Sequence, residues 1–138
     1  MRRYALIPQK SAHQKQLDKL HALLKVAVLK RDNFQCVMCG KPAVQYPIHP
    51  YDFLDVSHIF PKSIYPLARF NLLNVVMHCR KCHEWWHANI QQAAEWIRKY
   101  LGPRKYKELL EAVTNPDPMF RDFSKVEVYL KREIRKYS

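Results

Sequence analysis

The chain has 138 residues, 48% of them apolar, which suits one compact domain with a buried core. Lysine and arginine number 24 against 12 acids, and the formal charge of +12 points to polyanionic partners, because neutralising phosphate is the usual use of such an excess. No apolar run approaches the roughly 18 residues that span a bilayer, and Met1-Arg2-Arg3-Tyr4 leads into no signal-peptide core, so no membrane partner is expected and the reducing cytoplasm is the expected compartment.

Residues 1–31 hold eight bases (Arg2, Arg3, Lys10, Lys15, Lys19, Lys25, Lys30, Arg31) against the single Asp18, a surplus of seven. This basic N-terminal arm is the expected electrostatic footprint. Within it, Leu17, Leu20, Leu23, Leu24, Ala27 and Val28 form an i, i+3, i+4 series free of Pro and Gly, which predicts an amphipathic helix over 12–31. Its opposite face is largely lysine, either a solvated face or a phosphate contact. His13, His21 and His49 have no motif context and read as surface residues.

Residues 32–102 make up the expected core. Pro42, Pro47 and Pro50 without a helical period predict a loop over 40–50. An extended segment over 53–60 follows, then Pro61 and Pro66 interrupt the chain, and 72–77 offers a second short strand. From Cys82 the pattern turns helical. Asn89 is the expected N-cap of a helix through Ile90, Ala93, Ala94, Ile97 and Leu101, closed by Gly102 and Pro103. Residues 103–138 read as a C-terminal helical extension: a helix over 104–113, the breaker Asn115-Pro116-Asp117-Pro118, and a last helix opened by a Ser124/Glu127 capping box. The expected fold class is α+β, mostly helical, with a small strand pair at its centre.

Four cysteines fall in two matched pairs, Cys36-Val37-Met38-Cys39 and Cys79-Arg80-Lys81-Cys82. Two cysteines separated by two residues turn both sulfurs inward on one tight knuckle, and two knuckles make a tetrahedral zinc site. Gly40, just after the first pair, permits a positive φ there. Four thiolates leave the zinc no open position, so its expected role is folding. The competing reading, a redox CxxC, lacks its accompanying βαβ pattern.

The order of CxxC, a strand ending in His58-Ile59-Phe60-Pro61, then Asn74, then CxxC followed by His83, resembles the HNH endonucleases, also called ββα-metal or His-Me finger nucleases. The runs Ser57-His58-Ile59-Phe60-Pro61-Lys62-Ser63 and Arg69-Phe70-Asn71, with Cys79 to His87, resemble phage-type members such as the NinG/Rap recombination nucleases; the likeness covers about residues 31–110. It implies a ββα-metal core, DNA as substrate, 5′-phosphate products, a role in phage-related DNA processing or recombination, and a bacterial host cytoplasm. Either a monomer or a dimer is compatible with it.

Phosphodiester hydrolysis needs a base for the water and a cation for the charge growing on phosphate and leaving oxygen. His58, with an ordinary pKa near neutrality, suits the first role. The resemblance implies that Asn74 orients His58 through a backbone or ring hydrogen bond, and that His83 binds a catalytic Mg2+ or Mn2+. His87, one helical turn on, is a second candidate ligand. The residue before the general base is usually Asp, Glu or His in this family; here it is Ser57. Three consequences are open: Asp55, on the same strand face, reaches the ion; His83 and His87 hold it with waters; or metal binding is weak. A packing role for His58 and a strand-end hydrogen bond for Asn74 are the plainer readings, and His78 reads as filling a strand end.

Lys62, Arg69, Arg80 and Lys81 are the candidate nucleic-acid contacts, with Arg69 foremost. Of Trp85 and Trp86, one is expected in the core against Leu72 or Val75, the other on the helix holding Trp96 or against bases. The function expected is a metal-dependent DNA endonuclease; the alternatives are a non-catalytic zinc-ribbon module that binds nucleic acid and a nuclease subunit conditional on a partner.

Overall fold

The computed structural model describes residues 8–49 and 52–138; Arg2 and Arg3 of the basic arm and Pro50 of the loop lie outside them. Among the described residues the fold is mostly helical, with four helices and one two-stranded antiparallel sheet: α1 (Ala12–Arg31), β1 (Leu54–His58), β2 (Val75–Cys79), α2 (Arg80–Ala88), α3 (Ile90–Thr114) and α4 (Phe123–Lys136). None of the described helices is long and apolar enough to cross a membrane.

Helix α1 occupies the expected range. Ser11 caps it by accepting from the Gln14 N–H at 3.1 Å. Strand β2 begins later than expected, because Leu72–Asn74 forms a 3-10 turn closed by Asn71, whose Oδ1 accepts from the Leu73 N–H at 3.0 Å. Helix α2 correspondingly begins at Arg80, capped by the Cys79 sulfur.

Asn89 does precede α3, but its side chain donates to the Trp85 carbonyl at 3.0 Å and so closes α2 instead of capping α3. Gly102, at φ 78° and ψ 168°, breaks α3 into the two segments anticipated, with Pro103 opening the second. The last helix starts before Ser124. Asp122 caps it, accepting from the N–H groups of Ser124 (3.0 Å) and Lys125 (3.4 Å), since an ionised carboxylate is the stronger acceptor for orphan helix donors. Glu127 is thereby freed to pair with Lys19 of α1 at 2.9 Å and with Lys131 at 3.0 Å.

The sheet is covered on both faces. Leu54, Val75 and Met77 face Leu20, Leu24, Ala27 and Val28 of α1 and Val126 and Leu130 of α4, so both terminal helices contribute to the main core. Val76 faces the other way, onto Trp86 of α2 and Ala93 and Ile97 of α3. Each fully buried aliphatic side chain contributes about 1.5–3 kcal/mol. The strand period of two explains the division: the register pairs Asp55 with His78, Ser57 with Val76 and His58 with Val75.

An ion pair at the end of α1 fixes the sheet against that helix. Asp32, nearly buried, accepts from the Met77 N–H at 2.9 Å and from Arg31 at 2.9 and 3.1 Å, while Arg31 also donates to the Leu72 and Val75 carbonyls. Asp32→Ala removes the carboxylate beside a part-buried guanidinium and the acceptor of a buried strand N–H, so it is expected to destabilise the fold by about 3 kcal/mol, read as a lower urea midpoint. A change below about 0.5 kcal/mol would mean the clamp carries no weight.

Candidate active site and metal centre

The chain leaves α1 through Asn33 and Phe34, both at positive φ (58° and 56°), and turns into the first cysteine knuckle. Gly40 takes the anticipated positive φ of 77°, and its N–H bonds the Cys36 carbonyl at 2.9 Å. The Val37 N–H donates to the Met77 carbonyl at 2.9 Å, which lays this knuckle beside β2. The second knuckle spans the β2–α2 junction.

Sulfurs of Cys36, Cys39, Cys79 and Cys82 all lie within 4.8 Å of one another, and the four are close enough to hold one metal ion such as zinc. Cys39 and Cys79 are 3.6 Å apart, near the roughly 3.8 Å that tetrahedral ligation at a Zn–S length of about 2.3 Å requires. Burial opposes ionisation of Cys36, but the backbone N–H groups of Cys39, Cys79 and Met38 outweigh it and pull its thiol below the ordinary value. Burial raises Cys39 and Cys82, and their sulfur neighbours add to the rise at Cys82. A dication among the four sulfurs would favour their thiolate forms and complete the set.

A groove of about 520 Å³ follows the edge of β1, between α1 and α2. His58, His83, His87 and Asp55 all line it, together with Lys62 and Arg80. Lys81 and the Arg69 side chain do not. Arg69 acts through its backbone: its carbonyl accepts from His58 Nε2 at 2.9 Å. A carbonyl only accepts, so Nε2 carries the hydrogen and Nδ1 keeps a free lone pair. Burial lowers the pKa of His58, and Lys62, Arg69 and His83 add to the fall against the opposing effect of the Arg69 carbonyl bond. At neutral pH the ring is therefore an unprotonated base, able to take a proton from a water or hydroxyl in the groove.

Asn74 is fully buried and does not bond His58. Its Oδ1 accepts from the Phe60 N–H at 2.8 Å, and its Nδ2 donates to the carbonyls of Phe60 (3.0 Å) and Ala68 (3.2 Å). The effect on His58 is one step removed: Asn74 joins the turn after His58 to the residue preceding Arg69, the residue that anchors the imidazole.

On α2, His83 and His87 bring their Nε2 atoms to 2.9 Å. Two imidazole nitrogens at about 2.0–2.1 Å from one ion and at right angles to each other stand about 2.9 Å apart, so the pair fits a shared divalent ion. His83 Nδ1 lies 3.4 Å from Asp55 Oδ2, an orientation that leaves Nε2 free toward His87. Asp55 thus stands behind His83 and pairs with Arg80 at 3.2 Å; it is not turned toward the His83–His87 pair as a ligand. Among the described residues the cysteine quartet is the sole group of three or more metal-ligating side chains, which leaves the α2 site with two.

Ser57 is turned away from the groove. Buried on the α2-facing side of β1, its hydroxyl lies 2.7 Å from His78 Nδ1, and the His78 ring packs on Trp86 at 5.0 Å. Trp86, not Trp85, is the core indole. It packs on Val76 and Trp96, where Leu72 or Val75 was expected, because the strand alternation sends Val75 to the opposite face.

His21 is the residue that sequence reasoning missed. It lines the same groove as His58, half-buried with its ring 5.0 Å from Phe70. Burial, with Lys62, Arg69 and His58 adding to it, lowers its pKa to about 4, so it is neutral at physiological pH. The signal was present in the chain: 17, 20, 21, 24 and 28 complete the inward stripe of α1, and His21 occupies one of its positions. Lys25, one turn further, also lines the groove. Comparison with protein-family models, curated proteins and solved structures gave no match.

The quartet predicts that purified protein carries one zinc per chain by elemental analysis. Cys36→Ser should lose that zinc and lower the melting temperature by roughly 10 °C or more. A zinc-free wild type of unchanged stability would contradict the assignment.

Proposed function

We propose that this protein is a metal-dependent endonuclease of the HNH type, hydrolysing phosphodiester bonds in DNA during phage-related DNA processing or recombination. The observation that carries the reading is the His58 imidazole, held through Nε2 by the Arg69 carbonyl with Nδ1 free, in one basic groove with the His83–His87 pair. In this reading β1, β2 and α2 are the ββα-metal core, and the cysteine quartet holds a structural zinc.

A water beside His58 gives its proton to Nδ1 as its oxygen attacks phosphorus; the bond from phosphorus to the 3′ oxygen breaks, and that oxygen takes a proton from solvent water, leaving 3′-hydroxyl and 5′-phosphate ends. The Arg69 carbonyl keeps the ring oriented and favours the imidazolium as it forms. Asn74 is a positioning residue, acting through Phe60 and Ala68. His83 and His87 would hold the Mg2+ or Mn2+, with Asp55 orienting His83. That ion supplies charge neutralisation at the phosphate and the leaving oxygen. Lys25 and Lys62 bind the phosphate backbone electrostatically, without reading sequence.

Ser57 favours a second reading. With no carboxylate at that position and Asp55 engaged behind His83, only His83 and His87 would hold an ion there, and a module that binds nucleic acid without cutting it would carry the same groove. Supercoiled plasmid with Mg2+ or Mn2+ separates the two. Wild-type protein is expected to nick it, and His58→Ala to be slower by about 10²–10⁴-fold while still binding DNA. Equal nicking by both proteins would sink the His58 assignment, and tight binding without nicking by either would select the second reading.

A further inference from the structure

Beside the basic groove lies a second recess, an apolar niche of about 290 Å³. Buried Trp86, Ala93 and Ile97 form its floor, Pro61 and Tyr106 line it, and Ile90, 76% exposed, stands in its lining. An exposed isoleucine alone is ordinary. Here it borders a recess that meets the groove at the reacting residues, because His58 and His87 line both.

A nucleotide has the same two-part chemistry. Its phosphate suits Lys25 and Lys62 of the groove, while its base offers a flat, weakly polar face that stacks on aromatic rings. The niche lies at the lower bound of small-molecule sites, with room for one base and not for a base pair. A base reaches such a recess only when it leaves the helical stack, and an unpaired base has already given up the pairing that opposes this.

We propose that the niche is a base subsite. It takes one unpaired base beside the phosphodiester that lies against His58, which makes DNA with an unpaired nucleotide at the cleavage point the preferred substrate over a fully paired duplex. The inference rests on the nuclease reading and names its substrate class. Ala94, an exposed position of α3 that lines the niche, is where a larger side chain fills it without entering the core.

The test uses two duplexes of one sequence, one fully paired and one with a single unpaired 2-aminopurine, each with Mg2+ or Mn2+. Wild-type protein is expected to cut beside the unpaired nucleotide at least tenfold faster than at the same position in the paired duplex. Ala94→Phe, with an unchanged melting temperature, is expected to bring that ratio to within twofold of one. The 2-aminopurine fluorescence should change at least twofold on binding wild type and not on binding the variant. Equal wild-type rates on the two duplexes, or a preference that survives Ala94→Phe, overturns the subsite. If wild type cuts neither duplex yet gives a fluorescence change that Ala94→Phe removes, the nuclease reading fails and the subsite stands. With neither cutting nor signal, both fail.

Discussion

Four cysteine sulfurs drawn within 4.8 Å of one another are the constraint on which the rest of the arrangement depends. Two come from the turn after α1 and two from the junction of β2 and α2, so their convergence locks the end of one helix to the start of another. Between α1 and the first knuckle the chain turns through Asn33 and Phe34 at positive φ, and the Phe34 N–H closes the helix on the Leu29 carbonyl at 2.8 Å. The Arg31–Asp32 pair reinforces the same corner from the α1 side, bonding the backbone of Leu72, Val75 and Met77. Because α2 follows the second knuckle without a break, the direction in which His83 and His87 point is set by the sulfurs that precede them.

The groove then combines three independent placements. His58 comes from the end of β1, His83 and His87 from α2, and His21 and Lys25 from α1. Each arrives through a different interaction: an Arg69 carbonyl, an Asp55 carboxylate, and packing on Phe70. Asn74 deepens the first, since its amide satisfies backbone groups of Phe60 and Ala68 in the interior, where an unpaired polar group would be costly. The buried surroundings that hold His58 also keep it neutral, so placement and protonation state have one cause.

Much of this was legible in the chain, and what was not has a physical reason. The range of α1, the Gly102 break and the cysteine pairs rest on local chemistry: a periodic stripe, a residue able to adopt positive φ, a fixed ligand spacing. The misplaced features depend on partners far along the chain. Asp122 displaced the Ser124/Glu127 box, and Glu127 was taken up by Lys19 more than a hundred residues away. Asn74 reads as a partner for His58 until the turn at Leu72–Asn74 aims its amide at Phe60 and Ala68. Arg69 matters through its carbonyl, which no side-chain pattern announces. Ser57 is explained only by the pairing of the strands, which puts it beside His78 under Trp86 and away from the groove.

Chemical rescue tests the central claim most directly. His58→Gly removes the ring while leaving its backbone in β1, and added imidazole can then enter the space and act as the base. The account predicts that this variant nicks DNA at least a hundredfold more slowly than wild type, and that millimolar imidazole restores a large part of the rate, with the restored rate rising as the imidazole is deprotonated. A variant that stays as inactive with imidazole as without it, while binding DNA and retaining zinc like the wild type, would contradict the role of His58 as the base.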